Sequence, residues 1–157
     1  MNIVLARIDD RLIHGQVATI WSKHTKCQRI LVCNDDVKKD LIRKTLLEQV
    51  APPGIKSSVV GIDEAIRVYN NPKYQDDRVL CLFTNPTDVV KMVEGGVAIK
   101  SVNIGGMSFK EGKKQITYAV SVDDTDIEAF KKLNEKGIEL EIRKISSDLK
   151  VDLMSKL

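Results

Sequence analysis

One stretch of the chain is dense in groups that handle anions: Asp9-Asp10-Arg11-Leu12-Ile13-His14-Gly15-Gln16. A neutral imidazole is a competent nucleophile near neutral pH, and a guanidinium can fork two hydrogen bonds to an anion placed on or beside it. Arg11 and His14 are therefore candidates to share one phosphoryl group, His14 as acceptor and Arg11 as its charge partner. The run that follows, Val17 to Trp21, has helix-like composition, so the amides near Gly15 and Gln16 would add the free N–H groups and positive dipole end of a helix start. No metal is required by such chemistry, because in-line positioning and charge stabilisation supply most of it. Asp9 and Asp10 either set the ring tautomer and the orientation of the arginine or serve only as turn and capping residues.

Positioning this loop falls to the elements around it. Ile3-Val4-Leu5-Ala6 is a continuous apolar run, as in a strand buried on both faces, so His14 lies at a strand-to-helix junction. In an open parallel sheet such junctions sit at the carboxyl ends of strands, where ligands bind. Further strands are expected at Arg29–Cys33, Lys56–Val60, Arg78–Phe83 and Ser101–Ile104. Helices are expected over Val37–Val50, capped by Asp35 or Asp36 and ended by Ala51-Pro52-Pro53-Gly54, over Asp63–Asn70, and from Pro86 to Glu94. Gly105-Gly106 is either a close-approach site for an anion or a plain tight turn. Gln115–Val120 reads as a sixth strand with too little chain before it for a parallel crossover. Asp123-Asp124-Thr125-Asp126 caps a helix over Ile127–Lys136, Ile138–Ile142 alternates like an exposed edge strand, and Asp148–Leu157 reads as a closing amphipathic helix.

Strands alternating with helices predict a three-layer α/β fold: an open twisted, mostly parallel sheet with helices on both faces. With strand one beside strand four, the crevice at the switch point falls between the His14 loop and the Thr84-Asn85 loop, and Gly106 lines the same rim. Thr84 and Gly106 thus join Asp9 and Asp10 as candidate supporting residues. His24, in the polar run Ser22 to Lys26, is read as a solvated residue at a helix end.

The chain has 157 residues, enough for one domain spanning 1–157 with a core of its own. Hydrophobic residues make up 43% and charged residues 30%, a globular balance, and no apolar run is long enough to span a bilayer. The net charge of +3 comes from basic residues mixed with acids, and the three Phe, three Tyr and one Trp are scattered, which argues against a nucleic-acid surface. Cys27, Cys33 and Cys81 are an odd count without metal-ligand spacing, as expected of reduced thiols in a cytoplasmic protein.

The run Arg7-Ile8-Asp9-Asp10-Arg11-Leu12-Ile13-His14-Gly15-Gln16-Val17 resembles the signature loop of the IIB component of the mannose/fructose/sorbose-type sugar phosphotransferase system, with no departure in the loop. Ala51-Pro52-Pro53-Gly54, Asn85-Pro86-Thr87-Asp88-Val89-Val90, Val93-Glu94-Gly95-Gly96-Val97 and Asn103-Ile104-Gly105-Gly106-Met107 also resemble that family in order and spacing. The resemblance implies a protein-histidine–sugar phosphotransferase: a phosphocarrier that takes a phosphoryl group from a IIA histidine onto His14 and passes it to a sugar entering through membrane IIC and IID components. It further implies no diffusible cofactor, and a cytoplasmic chain peripherally associated with the membrane permease; a homodimer is compatible with it.

Two rival readings exist at this level. A receiver-like signalling module would also carry an acidic pair after strand one, but it needs an aspartate ending strand three and a lysine ending strand five, whereas this chain has Val60-Gly61-Ile62-Asp63 and Ile104-Gly105-Gly106, without the lysine. A nucleotide- or flavin-binding α/β domain would show a glycine-rich dinucleotide or Walker pattern, and neither occurs.

Overall fold

β1 (Asn2–Asp9) runs into the His14 loop and then into α1 (Gly15–Thr25), in a computed structural model that describes all of residues 1–157. β2 (Arg29–Cys33) is followed by α2 (Asp35–Lys39) and α3 (Leu41–Gln49), and β3 (Lys56–Val60) by α4 (Ile62–Asn70). β4 (Arg78–Phe83), α5 (Pro86–Glu94) and β5 (Ser101–Gly106) come next. A small ribbon of β6 (Lys114–Gln115) and β7 (Ser121–Val122) precedes α6 (Asp124–Glu135), β8 (Glu139–Ile142), β9 (Val151–Asp152) and a closing 3-10 turn, Leu153–Lys156. Seven strands form one sheet in the order β3-β2-β4-β1-β5-β8-β9, parallel throughout except for β9.

Strand alternation sorts the side chains into two cores. Leu31, Cys33, Val79, Cys81, Phe83, Ala6, Ile8, Val102 and Ile104 face one side, where they meet Ala65 of α4, Val89 and Met92 of α5 and Phe130 and Leu133 of α6. Ile30, Val32, Leu80 and Leu82 face the other and meet Trp21, Val37 and Leu47 of α1, α2 and α3. Helices therefore cover both faces, as expected for a doubly wound sheet whose central strands are apolar on both sides. β1 lies between β4 and β5, with β2 and β3 beyond β4, which is the arrangement expected from the sequence.

The helix expected over Val37–Val50 is two helices, because Asp40 closes α2 with its N–H and accepts from the Arg43 amide to cap α3. Only Leu47 of α3 is buried, while Leu41, Ile42 and Leu46 are exposed, so its apolar spacing did not mark a core face. Asn34, not Asp35 or Asp36, caps α2, and the Asp35 carboxylate instead accepts from the Ile62 amide at the start of α4. Of the strand expected over Gln115–Val120 only Gln115 is in a strand, the end of β6; Ile116–Val120 is a tight connection in which Ile116 and Thr117 both donate to the Val120 carbonyl, leaving Tyr118 in solvent. β8 is not an edge strand: β5 pairs it on one side and β9 on the other, and Glu141 is buried because Arg143 neutralises it through two hydrogen bonds of 2.8 and 2.9 Å. The helix expected over Asp148–Leu157 is replaced by β9 and the 3-10 turn, whose Leu153 packs into the larger core.

Candidate functional site

Asp9 is the last residue of β1, and its side chain is wholly buried. Its Oδ1 accepts from the Arg11 amide and the Arg11 Nε, both at 3.1 Å, the amide bond closing a turn of the kind short acidic side chains favour. Its Oδ2 accepts from Arg7 Nη2 at 3.0 Å, Arg11 Nη2 at 3.2 Å and His14 Nε2 at 3.0 Å. One carboxylate thus gathers two guanidinium groups and the imidazole. Burial alone would raise the Asp9 pKa, but hydrogen bonds from Arg11 and His14 and the charge of Arg7 together hold it below the ordinary carboxylate value.

Leu12 and Ile13 are buried beside Trp21, Val37 and Leu82, and they pin the middle of the loop to the smaller core. To do so Leu12 adopts φ +62, a left-handed conformation that costs a non-glycine residue roughly 1–2 kcal/mol and that its burial must offset. Arg11 and His14, on either side, then face outward, with 46% and 26% of their side chains exposed. His14 is the N-cap of α1, but its ring makes no cap hydrogen bond, whereas α2, α3, α5 and α6 are each capped by a side chain. The first-turn amides of Gly15 and Gln16 are consequently open to an external acceptor. Gly15 has φ +44 and open space around its α-carbon, so backbone conformation rather than crowding explains glycine there.

The other predicted residues divide. Asp10 turns away from the ring: its carboxylate accepts from the Ser108 amide at 2.7 Å and the Ser108 hydroxyl at 2.9 Å, tying the loop to the segment after β5. Thr84 makes no hydrogen bond to His14 or Arg11; its hydroxyl accepts from Asn34 and Asn85, each at 3.0 Å. Two depressions of about 380 Å³ adjoin the loop, one lined by Arg11, Gly106, Ser108 and Tyr118 and the other by Asn34, Arg43, Thr84 and Lys110. Asp10 lines both and His14 neither, so the single crevice expected between the His14 and Thr84 loops is replaced by two, one of them on the β5 side.

Gly105 and Gly106 are neither a tight turn nor a bare anion cradle. They end β5, and the space a side chain would need is already taken. A Cβ on Gly105 would lie 2.0 Å from Arg7 Nη2, and one on Gly106 would lie 3.1 Å from Arg11 Nη2. His24 is exposed in the last turn of α1 with its ring edge-on to Trp21, in keeping with its reading as a helix-end residue. No group of three or more His, Cys, Asp or Glu side chains is placed to hold a metal ion.

Arg7 and Asn103 were passed over in the sequence as site residues. The available signal was a charged and an amide side chain inside strands otherwise apolar on both faces, where each must find a partner.

Sheet order, capping and the Asp9 hub together define an open α/β protein that presents a carboxylate-held histidine beside an arginine and an uncapped helix start. Comparison with known proteins refines that class. The chain belongs to the family described as "PTS system sorbose subfamily IIB component", whose model matches residues 3–157. It is similar to the sorbose-specific EIIB component of the PTS of Klebsiella pneumoniae, with 55% identity over 100% of this chain and 96% of that protein. It is also similar to the mannose-specific EIIAB component of Escherichia coli K12, at 64% identity over 100% of this chain but only 50% of that protein. The chain therefore spans about half the length of that relative. The crystal structure of the IIBSor domain of the Klebsiella pneumoniae sorbose permease superposes with a TM-score of 0.97 at 56% identity, covering 99% of this chain and 96% of that one. No helix is long and apolar enough to cross a membrane.

Proposed function

We propose that residues 1–157 act as one IIB phosphocarrier domain: His14 accepts a phosphoryl group from a IIA histidine and passes it to a sugar entering through membrane IIC and IID components. The hydrogen bond from His14 Nε2 to Asp9 Oδ2, 3.0 Å long, is the observation that carries this reading. With that nitrogen committed to a carboxylate, the neutral ring bears its proton on Nε2 and its lone pair on Nδ1, the nitrogen that makes no hydrogen bond within the protein. Nδ1 attacks phosphorus, the donor's N–P bond breaks as the new one forms, and the ring, still holding its Nε2 proton, gains positive character that Asp9 offsets. Phosphoryl departure to a sugar hydroxyl oxygen reverses this: the N–P bond breaks as the O–P bond forms, the ring leaves as neutral imidazole still holding its Nε2 proton, and the hydroxyl proton is released to solvent.

Arg11 stands on the same carboxylate with nearly half its side chain in solvent, a placement that lets the guanidinium meet the equatorial oxygens of the transferring group. The open amides near Gly15 and Gln16 add donors that need no reorganisation as charge spreads. Asp9 supports the ring, and Asp10 shapes the loop through Ser108. The domain acts in the cytoplasm at the membrane permease, and no diffusible cofactor takes part.

The test is phosphorylation from phosphoenolpyruvate through the general phosphotransferase proteins and a mannose-type IIA domain, with the product mapped by intact mass and alkaline peptide sequencing. One acid-labile, alkali-stable phosphate on His14, absent in His14→Ala, is expected. A wild-type chain left unlabelled by a demonstrably phosphorylated IIA, or His14→Ala labelled at full stoichiometry, refutes the assignment.

A further inference from the structure

On the sheet face opposite the larger core, the three adjacent strands β1, β5 and β8 carry a row of polar side chains. Arg7 pairs with Asn103 and Asn103 with Glu141 in the parallel register, while their neighbours Ala6, Ile8, Val102, Ile104, Leu140 and Ile142 belong to the larger apolar core. Arg7, Asn103 and Glu141 are nevertheless only 2%, 1% and 5% exposed. A charged row at that depth is weak as a source of stability, since desolvation offsets most of what a buried ion pair gains. Its geometry has a direction instead.

The Arg7 guanidinium is enclosed on every side. Gly105 leaves room beneath it, for a Cβ there would fall 2.0 to 2.6 Å from its atoms. The ring of Trp21 lies over it with a centroid distance of 5.3 Å, and that ring is itself fixed by its Nε1 donating to the Lys144 carbonyl at 2.9 Å. Arg7 Nη1 donates to Asn103 Oδ1 and, at 3.1 Å, to the Arg143 carbonyl. Nη2 is aimed at Asp9 Oδ2, the oxygen that also takes the His14 ring.

We propose that Arg7 is a positioning residue for phosphoryl transfer: from its fixed enclosure it holds the Asp9 carboxylate in one orientation, so that His14 keeps its proton on Nε2 while Arg11 is free to turn toward the phosphoryl group. The division of labour follows from exposure. Arg11 is half in solvent and can exchange its contacts with Asp9 for an anion, whereas Arg7 cannot leave. When Arg11 swings out, Asp9 still has a permanent cation and does not rotate, and the ring does not lose its acceptor. Arg7 touches no reacting atom and acts only through Asp9. This inference rests on the proposed role of His14 in transfer, but its first readout needs no phosphoryl donor.

The experiment records the His14 tautomer by long-range ¹H–¹⁵N correlation on histidine-labelled protein, alongside the transfer rate from a phosphorylated mannose-type IIA domain. Wild type, Arg7→Lys and Gly105→Ala are compared, with the fold of each checked by amide dispersion. Arg7→Lys keeps the charge but not the planar fork, and Gly105→Ala displaces the guanidinium without altering any charged group, so either alone carries the test. Expected is an Nε2-protonated ring in the wild type, an added Nδ1-protonated population in both variants, and transfer slowed about 10- to 100-fold, as for a misplaced reacting group, with phosphate still on His14. A folded variant with the wild-type tautomer overturns the proposal whether or not its transfer is slow, and so does a wild-type ring protonated mainly on Nδ1. Failure of the wild type to accept phosphate would refute the carrier role instead, leaving the tautomer comparison to decide what Arg7 does.

Discussion

Replacing Asp9 with asparagine removes one charge and leaves the volume nearly unchanged, so its effect isolates the hub. The carboxylate accepts five hydrogen bonds, one from Arg7, three from Arg11 and one from His14. Asparagine offers one acceptor oxygen and turns an NH₂ toward a guanidinium, so at least one donor loses its partner. Arg11 is half exposed and recovers its hydrogen bonds from water, but Arg7 is only 3% exposed and becomes a buried cation without a counter-charge. Breaking a buried pair from one side costs about 3–5 kcal/mol. The lower end is expected here, because Arg7 keeps the Asn103 and Arg143 acceptors and the Trp21 face. With a urea dependence of about 2 kcal/mol per molar, a loss of about 3 kcal/mol moves the unfolding midpoint down by about 1.5 M. Equilibrium unfolding followed by Trp21 fluorescence, the chain's one tryptophan, measures this directly. Adding Arg7→Met should return a large part of the loss, since removing both partners strands neither charge. A single-variant midpoint within about 0.3 M of wild type, at the same urea dependence, would refute the account of Asp9 as the counter-charge of a buried arginine.

Arg11→Ala should destabilise by less than about 1 kcal/mol, because an exposed pair contributes little, yet slow transfer onto His14 by about 10²- to 10³-fold. Unfolding titration and a single-turnover assay separate the two effects, and an unchanged rate would remove Arg11 from the chemistry. The acid branch of stability follows from the direction of the Asp9 shift: its folded pKa lies below the ordinary 3.8, so its contribution is complete above that value and is lost as pH falls through the folded pKa. Asp88, whose pKa burial raises against hydrogen bonds from Asn34 and Asn85, works in the opposite sense and favours the fold when protonated. The stability gap between wild type and Asp9→Asn should therefore narrow as pH falls below the ordinary 3.8, and a gap that stays constant as the solution is acidified would contradict the assignment.

The elements legible in the sequence were those whose signal is local. β1, β2, β3, β4 and most of β5 follow from apolar runs bounded by turn residues, and the helix start at Pro86 follows from its chemistry, while α6 begins at Asp124, three residues before the expected Ile127, because Asp123 is the cap and Asp126 closes a capping box inside the first turn. Apolar spacing misled on α3, where only Leu47 is buried, and in Ile116–Val120, where Val120 is buried but the chain turns back on itself instead of extending; alternation misled in β8, where Glu141 is buried by pairing with Arg143 rather than left in water. The loop residues Asp9, Arg11 and His14 stood out because polar and charged types crowd a strand-to-helix junction, and the structure does bring them together. Thr84 was drawn in by topology alone, and its hydroxyl turned out to belong to the cap of a neighbouring helix.

By itself, the order of residues determined the class of fold, the position of the histidine at the end of the first strand and the family to which the chain belongs, because periodicity, capping and motif spacing are properties of neighbouring residues. Only the tertiary structure decided which carboxylate holds the ring, which of two arginines is buried and which is free, and why Gly105 has no side chain. Those facts arise from strands β1, β5 and β8 lying side by side, bringing Arg7, Asn103 and Arg143 together from positions up to 136 residues apart. Desolvation makes such pairings strict, since a guanidinium taken out of water must meet its acceptors wherever in the chain they come from.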